Sequence, residues 1–114
     1  MLIAVKQWGA LAGATDWSWA FNQCQNLVVT ATDPFGSGVT NMAGMFDQAA
    51  LANPAASNWD VSAVTNMLMM FASALNFDQD LSGWCVTQIT TEPYIFADGS
   101  ALQPQHYPVW GTCP

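Results

Sequence analysis

An eleven-residue stretch of this chain is stated twice. Val39-Thr40-Asn41-Met42-Ala43-Gly44-Met45-Phe46-Asp47-Gln48-Ala49 returns 25 residues later as Val64-Thr65-Asn66-Met67-Leu68-Met69-Met70-Phe71-Ala72-Ser73-Ala74, with seven of eleven positions identical. Trp59-Asp60-Val61 returns as Trp84-Cys85-Val86 at the same offset. Fainter copies flank the good ones. Phe21, Phe46, Phe71 and Phe96 recur without slippage, as do the apolar residues Leu27, Ala52, Phe77 and Leu102. A fixed period of this length is the mark of stacked repeats, each too small to bury its own apolar face.

Within each unit the apolar residues fall three and four apart. Met42, Met45, Phe46 and Ala49 stand at i, i+3, i+4 and i+7, and Met67, Met70, Phe71 and Ala74 repeat them. This spacing predicts a short α-helix with its apolar face inward. Thr15-Asp16, Thr40-Asn41 and Thr65-Asn66 stand where N-caps belong, and Pro93 sits just inside the start of the fourth helix. The returns, Leu27 to Thr32, Ala52 to Ala56 and Phe77 to Leu81, are expected to form strands or extended rungs. The chain therefore predicts an α/β fold: a short leucine-rich-repeat-like solenoid of about four coils. Helices would line one face and a narrow parallel sheet the other. The whole chain is expected to be a single solenoid domain. Its N-terminal edge is residues 1–13, its repeats are 14–38, 39–63, 64–88 and 89–102, and its capping tail is 103–114.

Composition excludes several functions. The chain has 114 residues, of which 52% are hydrophobic and 8% charged, against about 25% charged in ordinary domains. Its net charge is −7 and its only basic side chain is Lys6. Nucleic-acid binding needs several Lys or Arg contacts to phosphate, so no nucleic-acid partner is expected. No apolar run is long enough to span a bilayer, so no membrane insertion is expected. The N-terminus, with Lys6 after rather than before its apolar residues, does not read as a signal peptide.

Catalytic and metal chemistry finds few residues. His106 is the only histidine and lies in a Pro-rich tail, so no Ser-His-Asp arrangement can be assembled. We expect no enzyme, no catalytic residue and no cofactor. Asp78 and Asp80, two apart on an extended rung, are the sole metal candidates, for Ca²⁺, and solvated carboxylates are the favoured alternative. Cys85 follows a repeat tryptophan, and Cys113 lies near the C-terminus. Cys24 takes the repeat position of Ala49 and Ala74. This reads as a Cys85–Cys113 disulfide pinning the tail, with Cys24 a buried small apolar residue. Three reduced thiols in a cytosolic protein are the alternative.

Trp59 and Trp84 share one repeat position and are expected to stack as a ladder. Together with Met42, Met45, Phe46, Met67, Met70 and Phe71 they form the expected repeat core. Trp17 and Trp19, two apart in a short helix, cannot both face inward. Leu68 and Met69 point away from Met67 and Met70. Trp8, Trp17, Trp19, Leu68 and Met69 are therefore candidate partner contacts. The first coil, around Ile3, Trp8, Trp17 and Trp19, has no cap in the sequence, so its open edge is expected to be covered by a copy of itself or by another protein.

The pattern Val-Thr-Asn-Met-x-x-Met-Phe, then Phe77-Asp78-Gln79-Asp80-Leu81-Ser82-Gly83-Trp84-Cys85-Val86, then Val109-Trp110-Gly111-Thr112-Cys113-Pro114, resembles the BspA-type leucine-rich-repeat surface proteins. These are the bacterial and mycoplasma lipoprotein-associated repeats of about 25 residues. The resemblance is carried by Val39 to Val86 and by the last six residues. It implies a solenoid, a closing C-terminal cap and a non-enzymatic module for protein–protein or surface attachment and adhesion. The expected location is extracellular or at a cell surface, with a host-surface protein as partner. The alternative reading is a structural virion component, such as a phage decoration or capsid-stabilising protein. That chain would contact a capsid protein or self-associate through its N-terminal coil.

Overall fold

The repeated segments fold into turns, with no α-helix. The computed structural model describes residues 3–9 and 14–114. Met1, Leu2 and residues 10–13, parts of the predicted N-terminal edge, lie outside the described residues, as does the side chain of Ile3. In the first unit, the N–H groups of Ala20, Asn22 and Cys24 close tight turns onto the carbonyls of Trp17, Trp19 and Phe21. The intervening N–H groups leave the unit. Trp17, Trp19, Phe21 and Gln23 donate to the carbonyls of Asn41, Ala43, Met45 and Asp47 at 2.7–2.9 Å. The second unit repeats the move, with Met42, Gly44, Phe46 and Gln48 donating to Asn66, Leu68, Met70 and Ala72. Met69, Phe71 and Ser73 continue it onto Tyr94, Phe96 and Asp98. Every second amide is thus spent between units, and an α-helix would need each one for its own i−4 carbonyl.

Backbone dihedrals carry the same period. Trp19, Gly44 and Met69 have φ of 58°, 61° and 55°, and Gln23, Gln48 and Ser73 have φ of 62°, 60° and 54°. Two left-handed residues four apart break any helical run and fold the segment back on itself. In the last unit the pair moves one residue on, to Ile95 and Gly99.

The predicted helix-and-sheet solenoid of four coils is therefore overturned. Among the described residues there are only two three-residue strands, β1 (Ile3–Val5) and β2 (Leu27–Val29), and two three-residue 3₁₀ turns, Ala56–Asn58 and Pro104–His106. The returns at 52–56 and 77–81 contain no strand. The molecule is a compact small globule, with a radius of gyration of 12.7 Å and extents of 38 × 31 × 20 Å. The apolar spacing misled because turns closing on i−3 also bring every third or fourth residue to one side. Asp16, Asn41 and Asn66, read as helix caps, do accept backbone bonds, from Ser18, Ala43 and Leu68 two residues on. They cap isolated turns of the Asx type.

Apolar residues from all units meet in one core. Phe21, Phe46 and Phe71 stack in sequence at 5.4 and 5.6 Å, and Phe96 closes the row edge-on at 5.7 Å. Leu27, Ala52, Phe77 and Leu102 are buried behind them, Phe77 lying 3.8 Å from Phe71. The phenylalanines form the stacked ladder that was expected of the tryptophans. Trp59 packs on Phe46 and Trp84 on Phe71, and the Trp84 indole N–H donates to the carbonyl of Ala56 at 2.8 Å.

Both ends of the core are closed from within the chain. β1 pairs in parallel with β2, Ile3 opposite Leu27 and Val5 opposite Val29. Beyond it, the Asp33 carboxylate accepts the N–H groups of Trp8 and Gly9. Trp8 is thereby laid on Phe35 at 4.3 Å and edge-on to Trp59 at 5.6 Å. Pro34 stands where Trp59 and Trp84 recur, and Trp8 brings an indole into that neighbourhood. At the other end, Leu81 donates to His106 and Val86 to Thr112, and Cys85 and Cys113 are joined by a disulfide. Cys24 is free and half-buried against the core.

Phe71→Ala, which opens the middle of the phenylalanine row, is expected to cost about 3–5 kcal/mol of unfolding free energy in urea titration. Replacing Cys85 and Cys113 by alanine is expected to cost about 3–4 kcal/mol in the same measurement. A loss below about 1 kcal/mol would mean the tail holds its place without the bond.

Candidate interaction face

One position of the successive turns builds a column. Trp19, Gly44, Met69 and Tyr94 hold one repeat position. Successive units are joined there by Trp19 donating to Ala43, Gly44 to Leu68 and Met69 to Tyr94. The Trp19 ring lies against the Gly44 backbone, so closely that a Cβ on Gly44 would collide with its six-membered ring. Only glycine fits beneath that indole, and Gly44 also needs its positive φ. Trp19 remains 44% exposed and Tyr94 70%, with Leu68 and Met69 half-buried. The result is an apolar strip reaching across all four units.

Of the five predicted contact residues, the structure brings Trp19, Leu68 and Met69 into this strip. Trp8 and Trp17 are not contacts. They are 1% and 9% exposed, set edge-on at 5.9 Å inside the core. The open first edge expected around them is instead covered by the chain's own N-terminal segment. Tyr94 was missed, because the Phe96 register concealed that position 94 continues the column of Trp19. The signal was present as 94 − 69 = 25.

Beside the strip lies a polar row. Asn22 and Asp47 occupy the same place in adjacent turns, each closed onto the strip residue three before it, Asn22 onto Trp19 and Asp47 onto Gly44. The Asn22 Oδ1 atom is buried without a hydrogen-bond partner. Asp47 is only 5% exposed, and its backbone N–H donates to Gly44 while its carbonyl accepts from Gln23. Outside this row stand the exposed Gln23 and Gln48.

The remaining candidates are engaged elsewhere. Asp78 Oδ1 accepts from Asn53 at 2.9 Å, while Asp80 Oδ1 accepts from the Ser82 amide and hydroxyl. Asp80 thus holds its own turn while Asp78 ties its unit to the one before, each carboxylate being engaged by a different partner. Among the described residues no group of three or more His, Cys, Asp or Glu side chains could hold a metal ion. Nor, among the described residues, is any helix long and apolar enough to cross a membrane. A cavity of about 240 Å³, lined by Pro34, Phe35, Gly36, Ser37, Asn58 and Asp60, opens where the first unit lacks its repeat tryptophan.

Residues 15–112 match the model of a family described as "Mycoplasma protein of unknown function, DUF285". The chain belongs to this family. No curated protein and no solved structure matches the chain. The family is related to the BspA-like mycoplasma repeat proteins that the sequence resembles, and the match extends beyond the residues that carried that resemblance.

Hydrogen bonds hold several carboxyls below their usual value of 3.8. The Ser62 hydroxyl and amide lower Asp60, those of Ser82 lower Asp80, and the Gly9 and Trp8 amides lower Asp33. A lowered folded-state value gives stability that is present above the unfolded value and lost as pH falls through the folded one. The thermal midpoint should therefore hold down to about pH 4 and fall below it. Asp33→Asn should flatten that fall and speed amide exchange at Trp8 and Gly9.

Proposed function

We propose that this DUF285 domain is a non-enzymatic attachment module that binds a protein partner at a cell or particle surface through the Trp19–Met69–Tyr94 strip. The observation that carries the reading is the strip itself. Trp19 and Tyr94 stay exposed and Met69 half-exposed between them, although the fold buries Trp8, Trp17 and every repeat phenylalanine after Phe21. Exposed apolar columns of this kind mark interaction sites on otherwise polar surfaces. Aromatic and methionine side chains are the types enriched at interface centres. The Cys85–Cys113 disulfide supports an extracellular or surface location, because such bonds persist in oxidising compartments. Membership of a family related to BspA-like proteins supports the same reading.

The test is retention of labelled protein on a cultured cell monolayer, comparing the wild type with Trp19→Ser/Tyr94→Ser. The double variant should keep its circular dichroism spectrum and lose at least tenfold in retention. Equal retention by both proteins would exclude the strip as the contact. Light scattering separates the second reading. A closed oligomer dispersed by the same two substitutions would favour a structural component of a particle.

A further inference from the structure

We infer that the leading edge of the first turn segment, residues 16–22, captures a single backbone segment of a partner polypeptide through main-chain hydrogen bonds. The inference concerns a different edge of the molecule from the strip and does not depend on the attachment reading. At each interior joint, alternate carbonyls of one unit receive amides of the unit before it at 2.7–3.0 Å. They are Asn41, Ala43, Met45 and Asp47 in the second unit, and Asn66, Leu68, Met70 and Ala72 in the third. The matching carbonyls of the first unit are those of Asp16, Ser18, Ala20 and Asn22. Among the described residues, none of them accepts a hydrogen bond. Side chains are uncovered in the same place. Ala20 is exposed where Met45 and Met70 are buried, and Phe21 and Cys24 are half-buried where Phe46, Phe71, Ala49 and Ala74 are buried. Asn22 adds an Oδ1 atom that is buried without a partner.

The edge dictates its occupant. It offers acceptors only, so two copies cannot pair through it about a two-fold axis. The complementary row lies in the last unit, where the Ile95, Ala97 and Gly99 amides donate to nothing among the described residues. That end of a second copy is too broad for the space. Its return and its turn segment share one layer, since Leu81 and Val86 donate to His106 and Thr112 as Met69 does to Tyr94. At the first unit the two sides are uneven. β1 pairs with β2, and Trp8 bonds to Asp33, so on the return side the described chain runs one layer ahead of the turn segment. A flat end would strike β1 first. What remains is a recess one backbone layer deep, about 4.8 Å. A lone segment fits it, donating alternate amides to Ser18, Ala20 and Asn22 and laying an apolar side chain on Phe21. Asp16 and the net charge of −7 favour a segment without carboxylates.

The test titrates the intact chain with an acetylated, amidated peptide of the sequence Val64–Ala74, which carries no carboxylate, extended by two lysines for solubility. Carbonyl ¹³C signals of the protein are followed. Binding should saturate and shift the Ser18, Ala20 and Asn22 carbonyls ahead of all others. An ester in place of the peptide's Phe71 amide removes one donor and should weaken binding at least fivefold. A scrambled peptide should bind at least tenfold more weakly. In the protein, Phe21→Ala should weaken binding at least fivefold with its circular dichroism unchanged. Leu75→Ser, at an exposed apolar residue elsewhere, should change it less than twofold. No saturable binding at millimolar peptide would overturn the inference. So would equal binding of the ester or scrambled peptide, or shifts confined to Leu68, Met69 and Tyr94. If the Ser18, Ala20 and Asn22 carbonyls move with protein concentration alone, together with the Ile95, Ala97 and Gly99 amides, the occupant is a second copy and the partner segment falls.

Discussion

Everything in this fold depends on where alternate backbone amides go. A rung of turns closed only on itself would be a short, frayed segment with half its donors in water. By sending every second N–H to the next unit, the chain satisfies these groups and sets the unit spacing at once. Side chains then have no choice of neighbour: Phe21 must meet Phe46, and Phe46 must meet Phe71. The ladder also explains the left-handed residues. Outliers such as Trp19 and Met69 cost on the order of 1–3 kcal/mol each and persist only where the surroundings dictate them. Here the donors on either side are fixed to the next unit, so the turn between them has little freedom.

Much of the organisation was legible in the sequence, and the local conformation was not. The 25-residue period, the inward row of phenylalanines and the Leu27–Ala52–Phe77–Leu102 column all follow from identity at fixed offset. The helix did not follow, because a period of three to four describes a string of i−3 turns as well as it describes an α-helix. What separates them is the destination of the amides, and side-chain pattern does not encode it. Gly44 was the available hint. A glycine at the centre of a supposed helix, with Trp19 and Met69 at its repeat positions, suits a left-handed turn better than a helical core.

The candidate face was half legible for a related reason. Trp19, Leu68 and Met69 were found by asking which side chains a helix would turn outward, and a turn string happens to expose the same ones. Trp8 and Trp17 were misjudged because the N-terminal segment was treated as an edge in need of a cap. It is itself the cap, placed by β1 pairing with β2 and by Asp33 holding Trp8 and Gly9. Polar residues such as Asn22 and Asp47 gave no sign of being juxtaposed until their turns were stacked.

The disulfide would have a mechanical meaning for the attachment module proposed above. Tension applied beyond residue 113 enters the body at Cys85, through a covalent bond, and the segment between the two cysteines, which stand 28 apart in sequence, carries no load. The last unit, with Tyr94 and the end of the strip, is thus shielded from a pull at that terminus. A pull on the opposite terminus meets, among the described residues, the short β1–β2 pairing, the Asp33 contacts and the packing of Trp8 on Phe35 and Trp59. Under load this protein would yield first at its N-terminal segment, uncovering Trp8 while the Trp19–Met69–Tyr94 strip keeps its shape.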